Sequence, residues 1–114
     1  MHELSIMSYL LEAIEVAARQ HAAQRVVTIT VTAGERSGLV EDSLLFYFDL
    51  LTPGTVAEGA RLNVRRTKMR FHCQQCDADY SRSGDDFGCP VCGTVGQLID
   101  EACALAIDSL EIET

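Results

Sequence analysis

Apolar residues recur at three- and four-residue steps near the start of the chain, which is the spacing of one helix face. This stripe runs through residues 3–22 and includes Leu4, Met7, Leu11, Ile14 and Ala18, with Leu10 and Ala17 widening it. A second stretch begins at Glu41-Asp42-Ser43, where acidic side chains favour a helix N-terminus, and Pro53-Gly54 ends it. The pattern predicts two amphipathic helices, each with one buried face.

Three other stretches have the composition and alternation of strands. Residues 26–33 are β-branched almost throughout, residues 60–71 alternate apolar with polar side chains, and residues 107–113 close the chain. In the first of these, one face is predicted to carry Val27, Ile29 and Val31. The order helix, strand, helix, strand, insert, strand predicts an α+β fold. Two helices would pack on a small three-stranded sheet, with the insert between the second and third strands.

Composition and charge exclude several classes of protein. The chain has 114 residues, 47% of them hydrophobic, and a net charge of −8, which excludes wholesale disorder and a general nucleic-acid binder. Its basic residues concentrate in one stretch that contains Arg65, Arg66, Lys68 and Arg70. On an acidic protein, we interpret this run as a solvated strand face or as partners of other groups in the same chain.

The expected location is cytoplasmic. No run reaches the ~18 apolar residues of a transmembrane helix, and the N-terminal residues lack the basic and apolar regions of a signal peptide. Thiols stay reduced in the cytoplasm, so paired cysteines there indicate a metal before a disulfide.

Four of the five cysteines form two Cys-x-x-Cys pairs, the spacing of a zinc ribbon. The predicted ligands are Cys73, Cys76, Cys89 and Cys92. Four thiolates fill a tetrahedral shell, so Zn(II) bound here would be structural. The alternative is iron in a rubredoxin-like electron carrier, whose cysteine ligands have the same spacing. His72 is interpreted as a neighbour of the site. Cys103 lies in an alanine-rich run and is predicted to be a small buried residue.

The chain begins Met1-His2-Glu3, which offers nitrogen ligands at adjacent positions. The Met1 amine, the His2 amide and His2 Nδ1 can close fused five- and six-membered chelate rings in one plane. Ni(II) and Cu(II) favour such tetragonal nitrogen coordination. The fourth ligand is left open between the Glu3 amide, the Glu3 carboxylate and a group from a partner.

Several motifs, taken together with the four-cysteine insert, resemble the HypA/HybF family of nickel metallochaperones for hydrogenase maturation. They are Met1-His2-Glu3-Leu4-Ser5-Ile6, Gly34-x-x-Ser37-Gly38-Leu39-Val40, Leu51-Thr52-x-Gly54-Thr55-x-Ala57-Glu58-Gly59-Ala60 and Ser109-Leu110-Glu111-Ile112. The resemblance runs essentially from end to end. It implies a nickel-binding α/β domain, residues 1–70 plus 97–114, and a zinc-ribbon domain, residues 71–96.

The resemblance also implies a function. His2 would be the essential ligand of transported Ni(II), with the Met1 amine and the His2 and Glu3 backbone nitrogens around it. The four paired cysteines would hold structural Zn(II). The implied partners are an accessory nickel GTPase and the large subunit of [NiFe]-hydrogenase, and some members also serve urease. Neither nucleic acid nor a membrane is expected as a partner.

We interpret the chain as a carrier and not an enzyme, because no nucleophile is paired with an oriented base and no phosphate-binding loop is present. The alternative is a zinc-ribbon module that binds protein or nucleic acid. Between Cys73 and Cys92 there are one Arg and no Lys against four Asp, so the local charge opposes the nucleic-acid version.

Overall fold

The computed structural model describes residues 3–82 and 84–114. In these residues the chain forms two helices and six strands. Their order is α1 (Glu3–Gln20), β1 (Arg25–Gly34), α2 (Glu41–Leu51), β2 (Arg61–Thr67), β3 (Arg70–Cys73), β4 (Ala78–Ser81), β5 (Gln97–Asp100) and β6 (Leu105–Glu113). No helix in the described ranges is both long and apolar enough to cross a membrane.

The main sheet has the strand order β2-β1-β6, with β1 parallel to β2 and antiparallel to β6. Both helices pack over one face of this sheet, and the largest buried side chains come from α1, α2 and β1. They include Met7, Ile14, Val26, Ile29, Val31, Leu44 and Phe48. This arrangement confirms the predicted α+β fold of two helices on a three-stranded sheet.

The buried face of α1 differs slightly from the predicted stripe. Leu10 is buried as predicted, whereas Leu4 is 46% exposed and Leu11 is half-buried. The core face is therefore centred on Met7, Leu10 and Ile14. The helix ends at Gln20, because Ala22 takes a positive φ of 52° and the Ala23 N–H bonds back to the Ala18 carbonyl. The prediction that it continues to residue 22 was therefore wrong by two residues.

One valine of β1 lies on a different face from the predicted one. Val26 pairs with Ile112 and Thr28 with Glu111, so Val27 is an extra residue in a β-bulge. Val26 is fully buried as a result, and Val27 is only half-buried. From Thr28 onward the predicted alternation holds, with Ile29 and Val31 in the core.

The predicted strand over residues 60–71 is two strands that belong to different sheets. Met69 interrupts it, since its N–H bonds to the Glu35 carboxylate at 2.9 Å and its carbonyl accepts a bond from Arg82 at 3.2 Å. The chain then enters a second sheet with the order β4-β3-β5.

This second sheet extends over the cysteine-containing insert, from Arg70 to Asp100. A small apolar cluster of Met69, Phe71 and Ala102 supports it, with Tyr80 stacked on Phe71 at 5.4 Å between ring centres. Three of these four residues precede or follow residues 72–96, so this segment contributes little to the cluster that supports it. The domain boundaries at 70/71 and 96/97 remain a prediction.

Candidate metal centre

The two Cys-x-x-Cys pairs converge at one end of the second sheet. Cys73 ends β3 and Cys76 lies in the turn after it, while Cys89 and Cys92 lie in the loop before β5. All four Sγ atoms lie within 4.8 Å of one another. The Sγ–Sγ distance is 3.5 Å between Cys73 and Cys92 and 3.9 Å between Cys76 and Cys89. Tetrahedral sulfurs at ~2.3 Å from zinc are about 3.8 Å apart, so the four cysteines fit such an ion.

The two turns hold their sulfurs in the same way. The Cys76 N–H points to Cys73 Sγ at 3.4 Å, and the Val91 N–H points to Cys89 Sγ at 3.5 Å. The residue after each second cysteine has a positive φ, 50° at Asp77 and 79° at Gly93. Glycine accommodates this conformation without strain and aspartate less readily, so the first turn is the less favourable one.

Hydrogen bonding shifts the pKa values of two of these thiols in opposite directions. The pKa of Cys92 is lowered to about 6, chiefly by the Thr94 backbone N–H and then by its hydroxyl. The pKa of Cys76 is raised to about 12, chiefly by its hydrogen bond with Cys73 and then by Cys92. Four crowded thiols therefore do not all ionise by themselves, and a cation is needed to stabilise four thiolates together.

His72 lies beside the four thiols, where two carboxylates hold its ring. Its Nδ1 is 2.8 Å from Asp79 Oδ1, and its Nε2 is 3.4 Å from Asp77 Oδ1. Within the described residues, the group of side chains that could hold a metal contains four cysteines and not His72. Its interpretation as a neighbour agrees with this geometry.

Cys103 is exposed, so its prediction as a buried residue was wrong. The buried residue of this segment is Ala102, which is 2% exposed and has a φ of 57°. The left-handed conformation directs Ala102 towards Met69 and Phe71 and leaves the next side chain in solvent. An alanine and a cysteine side by side give no sequence signal for which one is inside.

The basic segment finds partners in its own chain. Arg65 pairs with Asp108 at 3.4 Å, Arg66 donates to the Leu39 carbonyl at 2.9 Å, and Arg70 pairs with Asp79 at 3.1 Å. These contacts confirm the interpretation of the run as partners of groups in the same chain.

Glu35 is a structural residue that the sequence patterns do not identify. It lies just after β1 and connects the two sheets, since Oε1 accepts the Met69 N–H at 2.9 Å and Oε2 pairs with Arg82 at 3.1 Å. The Met69 N–H is the main cause that lowers the pKa of Glu35 below 4.5, and Arg82 lowers it further. Arg82 in turn lies over the Phe87 ring, 5.6 Å from its centre.

We expect Glu35→Gln to lower the free energy of unfolding by about 1 kcal/mol at pH 7, because a charged hydrogen-bond acceptor becomes neutral at a partly solvated site. A lowered pKa in the folded protein means that this contribution is present above pH 4.5 and is lost as the pH falls below that value. Urea unfolding of both proteins at pH 7 and at pH 3 measures it. Acid also lowers the unfolding free energy of both proteins through other groups, so the test is the difference in unfolding free energy between the wild type and Glu35→Gln at each pH. A difference as large at pH 3 as at pH 7 would contradict the assignment.

The predicted nickel ligands Met1 and His2 lie outside the described residues. Glu3, the third residue of that prediction, is the first residue of α1 and is 7% exposed. Ser5 and Ile6, in the first turn of this helix, line a groove against β6.

Comparison with known proteins gives a consistent match over the whole chain. The family described as "Hydrogenase/urease nickel incorporation, metallochaperone, hypA" matches residues 1–112. A hydrogenase maturation factor HypA from Caldanaerobacter subterraneus subsp. tengcongensis is 41% identical over 99% of this chain and 100% of its own length. The hydrogenase maturation factor HypA of Geobacter metallireducens is 34% identical over 99% of this chain and 100% of its own length. The solution structure of the Ni metallochaperone HypA from Helicobacter pylori has the same fold, with a TM-score of 0.68 at 22% identity, over 99% of this chain and 98% of that one.

Proposed function

The chain belongs to the HypA family of metallochaperones for hydrogenase and urease nickel incorporation, and we propose that it carries Ni(II) at its N-terminus. The observation that carries this proposal is the family match, which begins at residue 1 and includes Met1-His2-Glu3. His2 is the central ligand. The Met1 amine and the His2 and Glu3 backbone nitrogens complete a planar set of the kind Ni(II) favours.

A ligand set made of adjacent residues at a chain terminus suits transport. Few protein groups hold the metal, so an acceptor can replace them one at a time by ligand exchange. The amine and the imidazole must lose their protons to bind, and an ordinary imidazole has a pKa of about 6.5. Nickel affinity is therefore expected to fall as the pH drops from 7.5 to below about 6.

We propose that Cys73, Cys76, Cys89 and Cys92 hold a structural Zn(II). The support is the close approach of their four Sγ atoms, within 4.8 Å, and the tetrahedral fit of those sulfurs. Bound zinc would supply the cation that four thiolates require and would complete its shell with no position left for chemistry. Metal analysis separates this assignment from the iron alternative, since iron on four thiolates would give coloured, redox-active protein.

The proposed recipient of the nickel is the large subunit of [NiFe]-hydrogenase, with an accessory GTPase as the partner in delivery. The support is the family's role in nickel incorporation and the name of the relatives as hydrogenase maturation factors. In this proposal the chain itself is a non-catalytic carrier.

Nickel titration of three proteins tests the N-terminal site. We expect the wild type to bind one Ni(II), and His2→Ala to lower the affinity by more than about 100-fold. Loss of a group that only hydrogen-bonds to a metal ligand already lowers metal affinity about 10–100-fold, and His2 is a proposed ligand itself. A third protein with extra residues ahead of Met1 should also bind nickel more weakly, because its Met1 nitrogen is then part of a peptide bond and is no longer a free amine. Calorimetry at pH 7.5 measures all three.

His21→Ala is the matched control, because it removes a histidine from the end of α1 and leaves the N-terminus unchanged. Zinc content should be the same in all four proteins. One-to-one nickel binding that survives both His2→Ala and the extension would refute the proposed site.

A further inference from the structure

The last strand of the main sheet has one free edge. Among the described residues, β6 pairs with β1 along one side and with no strand along the other. It is nine residues long and contains no proline. A strand of this length at an edge presents a row of unpaired N–H and C=O groups that can pair with another chain.

The side chains of β6 that point towards α1 are incompletely covered. Leu105, Ile107, Leu110 and Ile112 are all only half-buried, whereas Ile29 and Val31 of the neighbouring β1 are almost fully buried. An apolar groove of about 520 Å³ runs between α1 and the first half of β6. It is lined by Ile6, Tyr9, Leu10, Leu39, Leu105 and Ile107, among others.

Tyr9 forms the outer wall of this groove and is 77% exposed, an unusual position for a large aromatic side chain. Val16 lies two turns later in α1 and is 42% exposed. Tyr9, Ile6 and Ala13 therefore give α1 an apolar surface that faces β6, in addition to the stripe that the helix buries in the core.

The opposite face of β6 is acidic. Asp108, Glu111 and Glu113 are exposed there, and each has partners in its own chain. Asp108 pairs with Arg65 and accepts from the Thr32 hydroxyl, Glu111 accepts from the Thr28 hydroxyl, and Glu113 pairs with Arg25. The carboxylates can accept further hydrogen bonds, and the protein as a whole carries −8. Pairing of β6 with a second copy of itself would bring like charges together, so the charge opposes self-association and favours a basic partner.

From these features we propose that the free edge of β6 and the groove beside it bind an extended segment of a partner protein in which apolar and basic residues alternate. The segment would add a strand to the main sheet. Its apolar side chains would enter the groove beside Ile107 and Tyr9, and its basic side chains would lie beside Asp108 and Glu111. Backbone hydrogen bonds would supply affinity, and the alternation would supply specificity.

Such docking would place the partner next to the first turn of α1, since Ser5 and Ile6 belong to the groove. Its role in nickel transfer rests on the proposed function, because the proposed nickel ligands, residues 1–3, come shortly before Ser5 and Ile6 in the chain. The recognition itself depends only on residues of the groove and the strand.

The test uses a synthetic peptide of nine residues, the length of β6, in which isoleucine or valine alternates with lysine. Fluorescence anisotropy measures its binding to the zinc-loaded full chain, and hydrogen exchange locates it. We expect slower exchange at β6 amides. A peptide with glutamate in place of lysine should bind at least about tenfold more weakly, and added salt should lower the affinity of the lysine peptide. A lysine peptide N-methylated at every residue should not bind, because it has no backbone N–H left to donate to β6.

Two variants test the groove. Tyr9→Ser and Ile107→Lys should each weaken binding by about tenfold or more, because an apolar contact is lost in one and a like charge is added in the other. Phe46→Ser on α2 is the matched control, since Phe46 is also an exposed aromatic residue, 61% exposed, but lies outside the groove. Zinc content and circular dichroism confirm that each variant is folded.

The proposal would be overturned by equal binding of the lysine and glutamate peptides, by absence of binding, or by protection that appears on β5 in place of β6. Stronger binding of an amphipathic helical peptide without protection of β6 would also overturn it. Nickel titration of Tyr9→Ser keeps the two proposals separate. Tyr9→Ser should lose peptide binding and keep its nickel binding. His2→Ala should lose nickel binding and keep its peptide binding.

Discussion

Replacement of Cys89 by serine is expected to release the zinc and to unfold the second sheet, with the first sheet still folded. Cys89 is 6% exposed and its sulfur lies within the group of four. Loss of one thiolate from a tetrahedral site removes most of a metal-binding free energy on the order of 10 kcal/mol. The small cluster around Phe71 cannot replace it. Zinc per chain and hydrogen exchange at β3, β4 and β5 measure the effect.

Cys103→Ser is the matched control for this experiment. Its thiol is exposed and lies outside the four-cysteine group, so zinc content and exchange should stay at wild-type values. A Cys89→Ser protein that retained one zinc and a protected β3 would show that the four thiolates are not what orders this sheet. Chelation of zinc from the wild type should reproduce the effect without a mutation.

Replacement of Gly34 by alanine is the second change with a large expected effect. A Cβ at this position would lie 2.0 Å from the Ala102 carbonyl oxygen and 2.1 Å from its carbon, and both are backbone atoms that cannot rotate away. The same contact region holds the bonds from Gly34 N–H to Ala104 and from Arg36 N–H to Ala102. We expect a loss of about 3 kcal/mol in unfolding free energy, or roughly 10 °C or more in Tm.

Gly54→Ala separates this steric effect from the ordinary cost of losing a glycine. Gly54 has a φ of 81°, but a Cβ there would meet nothing within 4 Å, so backbone strain of about 1 kcal/mol is the whole cost. Thermal unfolding of both variants by circular dichroism measures the difference. Equal Tm values would mean that the approach of Gly34 to Ala102 relaxes at little cost.

Local patterns in the sequence were sufficient for most of the elements. The spacing of Met7, Ile14 and Ala18 predicted α1, and the β-branched run predicted β1, because the burial of one face imposes a period on the residues themselves. The paired cysteines predicted a shared site, since a metal ion demands a fixed number of ligands at short range. The Sγ atoms of all four lie together as that demand requires.

Positions decided by contacts between distant segments were not predictable in this way. The bulge at Val27 depends on the register of β6, more than 80 residues later in the chain. The break at Met69 depends on Glu35 and Arg82, and the burial of Ala102 in place of Cys103 depends on how closely that segment approaches Gly34. None of these contacts leaves a periodic trace, because each involves one or two residues.

By itself, then, the sequence determined the two helices, the three strands of the main sheet and their order. It also identified the four cysteines that meet and the N-terminal histidine that we propose as the nickel ligand. Each of these follows from a period, a spacing or a residue type within a short stretch. Only the tertiary structure decided how the two sheets are joined through Glu35 and Gly34, and that the free edge of β6 lies beside an apolar groove. Those features arise because folding brings together segments that are far apart in the sequence, and no local pattern in either segment indicates the contact between them.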